Sequence, residues 1–152
     1  MIASLCRWYH ELVTRDERRL DKVFEGREPL SDEEFYVRHF SHTDIAKQVV
    51  LGVRRAFVTH VPLDMRRLEP SDNFGRELQF VWGHDSLADV ELICDVENTF
   101  GVSITEAEGR ETVTMGALIA LVDRKVKAKR PNKALEPTPG PVTPRASSGG
   151  SK

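Results

Sequence analysis

Ser86 sits in Gly83-His84-Asp85-Ser86-Leu87, a short polar turn that runs straight into the apolar and acidic stretch Ala88–Phe100. A hydroxyl at such a junction is either a helix cap or a place to attach something. The local pattern favours the cap, because Ser86 and Asp89 fit the spacing of serine, two residues and an acid that satisfies the first backbone N–H groups of a helix. Asp85 offers a second capping carboxylate. The functional clue is the charge of the stretch behind the serine. From Asp85 to Glu111 the chain holds eight acids (Asp85, Asp89, Glu91, Asp95, Glu97, Glu106, Glu108 and Glu111) and one base, Arg110. Ordinary surface helices mix the two signs.

Other groups carry less chemistry. His39 and His42 are three apart, but no further ligands accompany them as a metal site requires. Cys6 and Cys94 match no metal spacing and lie on apolar stripes, so both thiols are expected to be buried or half-buried. The block Gly83–Leu87 also resembles the Gly-Asp-Ser-Leu block of a hydrolase family. Nucleophilic serine chemistry needs a base within hydrogen-bond reach. That family takes its histidine from near the C-terminus, whereas no histidine comes after His84 here and His84 itself interrupts the block. The formal net charge of −2 implies no general affinity for nucleic acid or membranes. No run is long and apolar enough for a membrane helix, and no secretory signal is present, so the expected compartment is a reducing cytoplasm.

These residues must be placed by helices. Ile2 to Phe24 has helical periodicity, with Ile2, Leu5, Tyr9, Leu12, Val13, Leu20, Val23 and Phe24 on one face. That stripe is expected to pack on its own domain, on a partner or on a second copy of the chain as a homo-oligomer. A helix docked over Val90 and Cys94 would mask them. Ser31 and Glu34 form a capping box, with Leu30 and Phe35 as a hydrophobic staple, and open a short helix to about Phe40. Asp44 to His60 is the next helix, with Ile45, Val49, Val53, Ala56 and Phe57 inward and Lys47, Gln48, Arg54 and Arg55 elsewhere. Leu63 to Val81 is a long loop whose apolar residues pin it over the core. The helix after Ser86 has two stripes, Leu92/Val96/Phe100 and Leu87/Val90/Cys94, and stops at Gly101. Thr105 opens one short turn, and Thr114 caps a last helix to about Lys127. From residue 128 on, the chain holds five of its eight prolines and almost nothing large and apolar, which predicts a disordered tail. The six bases from Arg124 to Lys133 read as a solvated helix end. No stretch alternates as a strand would. The expected class is all-α.

The order Asp85-Ser86-Leu87, Val90-Glu91-Leu92, Glu97 and Phe100 resembles the signature of acyl carrier proteins. In that family an Asp-Ser-Leu triplet opens the second helix of a small four-helix bundle. The similarity continues through Val102-Ser103-Ile104, Glu106, Glu108 and Thr114 to Ala117, Ile119 and Val122. Upstream, Ile45 to Phe57 resembles the family's first helix, and Pro70 to Phe74 its loop ending in a buried phenylalanine. The resemblance covers residues 44–127. Residues 1–43 would be an N-terminal helical extension, and 128–152 the tail. Three departures stand out: Gln79-Phe80-Val81-Trp82 are in excess before Ser86, Met1 to Phe40 has no counterpart, and Ala88 stands where an acid is frequent.

The resemblance implies that Ser86 carries covalent 4′-phosphopantetheine, attached by a separate phosphopantetheinyl transferase, and holds acyl groups as thioesters in fatty-acid- or polyketide-type synthesis. It implies no catalysis by the chain itself. Asp85, Asp89, Glu91, Asp95 and Glu97 would face basic patches on acyl-transferring and synthase enzymes, with Leu87, Val90 and Cys94 as the apolar centre of the contact. The competing expectation is a carrier-like bundle that serves only as an interaction module, with Ser86 an unmodified cap. Asn132 to Arg145 resembles the read-through ends of integron cassette products, which would imply a bacterial gene.

Overall fold

A computed structural model describes residues 2–83 and 88–133. Six α-helices lie within them: α1 (Ile2–Val23), α2 (Asp32–His39), α3 (Lys47–His60), α4 (Ala88–Phe100), α5 (Glu106–Glu111) and α6 (Met115–Lys133). Two 3-10 turns, Met65–Arg67 and Gln79–Gly83, occupy the long connection from α3 to α4. Among the described residues there is no strand, only an isolated bridge between Asn73 and Thr114. The all-α class is as expected.

Helix α3 is the centre of the bundle and packs against α2, α4 and α6. Its Val49, Val50, Val53, Ala56 and Phe57 are buried together with Leu92 and Val96 of α4 and Met115, Leu118, Ile119 and Val122 of α6. These are the faces that helical spacing selects. The capping box at α2 forms as expected: Ser31 Oγ accepts the Glu34 N–H at 3.3 Å, and Glu34 Oε2 accepts the Ser31 N–H at 2.9 Å. Leu30 and Phe35 both enter the core. Helix α3 starts at Lys47, later than Asp44, and no side chain of its own caps it. The nearby carboxylate comes from α6. Buried Asp123 accepts the Ala46 N–H at 3.1 Å, which places negative charge at the positive end of α3. Asp44 is drawn instead to Lys127, at 2.8 Å.

Arg54 departs most from its expected place. Spacing put it off the apolar face of α3, yet it is 2% exposed. The reason is that α2 and the turn at Met65–Arg67 cover that side of α3. Arg54 donates to Asp32 Oδ1 at 3.0 Å, to the Leu30 carbonyl at 2.5 Å and to the Arg66 carbonyl at 3.4 Å, with its guanidinium 4.3 Å from the Phe35 ring centre. One arginine thereby joins α2, α3 and the turn after them, and burial lowers its pKa from the ordinary value.

The long connection is pinned as expected, with Leu63, Met65, Leu68, Phe74, Leu78 and Val81 buried. The Phe74 N–H donates to the Val113 carbonyl at 2.9 Å, and the Gly116 N–H to the Pro70 carbonyl at 2.9 Å. A Cβ at residue 116 would stand 2.8 Å from that carbonyl oxygen, so only glycine lets the loop come this close to α6. Gly101, at φ +60°, takes the left-handed conformation that ends α4.

Helix α6 runs to Lys133, so residues 128–133 are helical and not part of a tail; 134–152 lie outside the described residues. The basic block is not merely solvated either. Lys125 pairs with Glu108 at 2.8 Å, Lys127 with Asp44 and Asp123 at 2.8 and 2.7 Å, and Lys129 donates to the Gly101 carbonyl. These lysines tie α6 to the starts or ends of three neighbouring elements. At the other end of the chain, Leu20 and Phe24 of the α1 region are buried, and Asp21 pairs with Arg67. This part of α1 packs on its own domain. It does not cover α4, because Val90 is 53% exposed and Cys94 is exposed. The burial expected for Cys94 is therefore corrected: the other stripe of α4, Leu92 and Val96, is the one that meets α3. The Cys6 side chain lies outside the described residues.

Candidate attachment and recognition site

Ser86, with His84, Asp85 and Leu87, lies outside the described residues. The structure defines what flanks them. On the N-terminal side, the residues in excess of the carrier pattern form the 3-10 turn Gln79–Gly83. Val81 is buried, and Trp82 joins an aromatic cluster: its ring centroid is 5.2 Å from Phe74 and 6.5 Å from Phe57, and Phe57 stacks on Phe74 at 5.0 Å. The chain is thus anchored in the core just before His84.

On the C-terminal side, α4 presents Asp89, Val90, Glu91 and Cys94 to solvent. It carries no lysine or arginine. The acids have different surroundings. Asp89 and Glu91 are exposed, whereas Asp95 lies 3.1 Å from His60 Nε2 at the end of α3, and Glu91 is 3.8 Å from His60 Nδ1. Glu97 faces the other way along the chain and accepts the Ile104 N–H at 2.5 Å, bracing the turn after α4. Of the expected recognition residues that are described, Asp89, Val90, Glu91 and Cys94 form the open face, Asp95 adjoins it through His60, and Glu97 is held by the backbone. His60 was missed because a lone histidine at a helix end has no sequence signal pointing at a carboxylate two elements away.

A cavity of about 500 Å³ opens beside this face. Its walls are Phe57, Phe74 and Trp82, Leu92 and Ile93 of α4, Ile104, and Leu118 of α6; Asp89, Thr105, Glu106 and Arg110 stand among its polar lining. The lining is predominantly apolar with a few polar groups, which suits an apolar ligand with a polar end. The cavity reaches Asp89 and Val90 in the first turn of α4, a few residues along the chain from Ser86. Sequence spacing gave no hint of it, since it depends on how α4, α5 and the loop splay apart.

Helix α5, which borders the cavity, is held by the Thr105–Glu108 capping box and by Lys125. The Lys125 ammonium, then the Thr105 N–H, hold the Glu108 carboxyl down at about 2 from an ordinary 4.5. Because the folded-state value lies below the unfolded one, this contribution to stability is present above about pH 4.5 and is lost as the pH falls toward about 2. The expected result is a lower melting temperature for Glu108→Gln at neutral pH, with the gap to the unsubstituted chain closing on acidification through that window. A gap that persists unchanged into acid would contradict it.

Elsewhere, His39 packs on the Phe35 ring at 5.0 Å, and burial pushes its imidazole pKa down. Among the described residues no group of three or more His, Cys, Asp or Glu side chains is placed to hold a metal, and no helix is long and apolar enough to cross a membrane.

Among curated proteins, the chain is similar to an acyl carrier protein of Exiguobacterium sp. (strain ATCC BAA-1283 / AT1b), at 24% identity over 80 residues that span 53% of this chain and 96% of that protein. No family model matches the chain. No solved structure matches it significantly.

Proposed function

We propose that this chain is an acyl-carrier-like protein whose Ser86 is the attachment point for 4′-phosphopantetheine. The observation that carries the reading is the open face of α4, a helix without lysine or arginine, which begins at Ala88 directly after Asp85-Ser86-Leu87 and borders an apolar cavity of about 500 Å³. The likeness to an acyl carrier protein over most of that protein's length supports it. The surroundings fit the group. The first turn of a helix offers N–H groups and a positive dipole end to a phosphodiester; in α4 one of these groups, the Val90 N–H, is taken by the Asp89 carboxylate at 2.8 Å. When bound, the arm supplies a thiol on which an acyl group is held as a thioester.

The chain's own residues then have three tasks. Val81 and Trp82 hold the segment before the turn against the core. Asp89 and Glu91, with Asp95 beside them, present negative charge to basic patches on a phosphopantetheinyl transferase and on synthase enzymes, raising encounter rate and selecting partners. Phe57, Phe74, Trp82 and Ile93 supply the apolar walls against which apolar cargo would shelter. In this reading the chain itself catalyses nothing, works in the cytoplasm in fatty-acid- or polyketide-type synthesis, and binds neither nucleic acid nor membrane.

Incubation with a promiscuous phosphopantetheinyl transferase and a fluorescent coenzyme A analogue tests this. The unsubstituted chain is expected to take up label and Ser86→Ala to take up none, with both giving the same helical circular dichroism. Absence of label with several transferases would overturn the proposal.

A second reading, a non-catalytic interaction module with Ser86 as a helix cap, is favoured by one observation. The turn Gln79–Gly83 is anchored by buried Val81 and by Trp82 in the aromatic cluster, a constraint on the segment before Ser86 that the carrier pattern lacks.

A further inference from the structure

The cleft between α1 and residues 76–80 has the opposite character to the α4 face. Arg15, Arg19 and Lys22 recur on α1 at four- and three-residue steps, on one exposed side of the helix. Across from them stands Arg76, and between lies a cleft of about 540 Å³ floored by Val23 and Phe80. The Arg19 guanidinium sits 5.3 Å from the Phe80 ring centre, which fixes the cation over an apolar wall. Glu77 is the acid lining this cleft, and its carboxylate is engaged by the Asn73 N–H at 3.1 Å. Arg15 and Arg19 lie 3.8 and 3.4 Å from the buried Asp16 carboxylate, whereas Lys22 and Arg76 form no ion pair with a carboxylate among the described residues. Cations around an apolar floor call for a partner with carboxylates around an apolar side chain.

The chain itself carries that partner. Asp89 and Glu91 are exposed on either side of Val90, which is 53% exposed, on a helix with no lysine or arginine. We infer that the α1 cleft docks the first turn of α4 from a second copy of this chain, with Val90 against Phe80 and Val23, and Asp89 and Glu91 against Lys22 and Arg76. The contact is heterologous: each copy gives a different surface, so copies add head to tail unless the rotation closes a ring. The patches are small, so the association is weak and transient, and its charged pairs make it salt-dependent. The apolar centre and the identity of both surfaces favour a protein helix over a polyphosphate, for which Val23 and Phe80 offer no complement. An occupied α4 face is closed to other partners; that consequence, unlike the contact itself, rests on the carrier function proposed for Ser86.

Sedimentation velocity on the full chain tests the contact. At low salt the weight-average sedimentation coefficient is expected to rise between about 10 μM and about 1 mM, with association weakening at least ~10-fold on going to about 0.5 M salt. Two charge reversals, Lys22→Glu with Arg76→Glu in one chain and Asp89→Lys with Glu91→Lys in another, should each abolish it. Mixing the two reversed chains should restore it, because each then offers the sign the other lacks. A chain that stays monomeric throughout, association indifferent to both reversals, or failure of the mixture to associate while both chains remain folded would overturn the inference. A monomeric chain that still takes label at Ser86 would overturn this contact alone and leave the carrier reading standing.

Discussion

Phe57→Ala is expected to lower the free energy of unfolding by about 4 kcal/mol, in the middle of the range for deleting a buried aromatic ring. Phe57 is 4% exposed and sits where α3 meets the connection to α4. Its ring stacks on Phe74 and lies within reach of Trp82, and all three rings line the cavity. Truncation removes the transfer free energy of the ring and both aromatic contacts. It also joins the vacated volume to a cavity already present, so collapse cannot recover the loss. Urea unfolding should show a lower midpoint at an unchanged slope. A loss below about 1 kcal/mol would show that the aromatic cluster does not hold α3 to the connection and α4.

Arg54→Ala is the second large effect, with an expected loss of about 3 kcal/mol. Removal of the side chain takes the buried donor from the Leu30 carbonyl and the cation from the face of Phe35, while the Arg66 carbonyl keeps the Leu30 N–H at 3.1 Å. Asp32 is half-exposed and regains water, which keeps the penalty below that of a fully buried pair. Arg54→Met should recover part of the loss by filling the space without the donors. Arg55→Ala, one residue along on the exposed side of α3, should change stability by less than about 0.5 kcal/mol. Equal effects at 54 and 55 in urea titrations would contradict the assignment of Arg54 as the tie between α2, α3 and the turn after them.

Arg54 and the lysines of α6 show why part of the fold was illegible in the sequence. Helical spacing marks which positions face a neighbour's apolar side chains, and it placed Val49, Val53, Leu92, Val96, Leu118 and Ile119 correctly. It carries no information on which charged side chain a second helix will later cover, so Arg54 read as surface and is core. The run of bases after Arg124 likewise read as a soluble end, whereas Lys127 and Lys129 find partners 83 and 28 residues earlier in the chain. Local devices were legible because their partners are a few residues away: the box at Ser31, the short turn after Thr105, the cap at Thr114 and the stop at Gly101.

The candidate site divides in the same way. The acidity of α4 and its two stripes come from composition and period. Which stripe meets the core does not, and it decides that Val90 and Cys94 are free while Leu92 and Val96 are not. The partner of Asp95 is His60, and that of Glu97 is a backbone N–H; both depend on tertiary placement. The cavity is legible only from the packing, because its walls come from α3, α4, α6 and the inserted turn together.

The central claim is the role of Ser86, and the intact mass of the chain after co-expression with a promiscuous phosphopantetheinyl transferase tests it most directly. The account predicts a gain of about 340 Da, one phosphopantetheine group, that is absent from Ser86→Ala. An unmodified mass in a correctly folded chain, or a gain that survives Ser86→Ala, would contradict it.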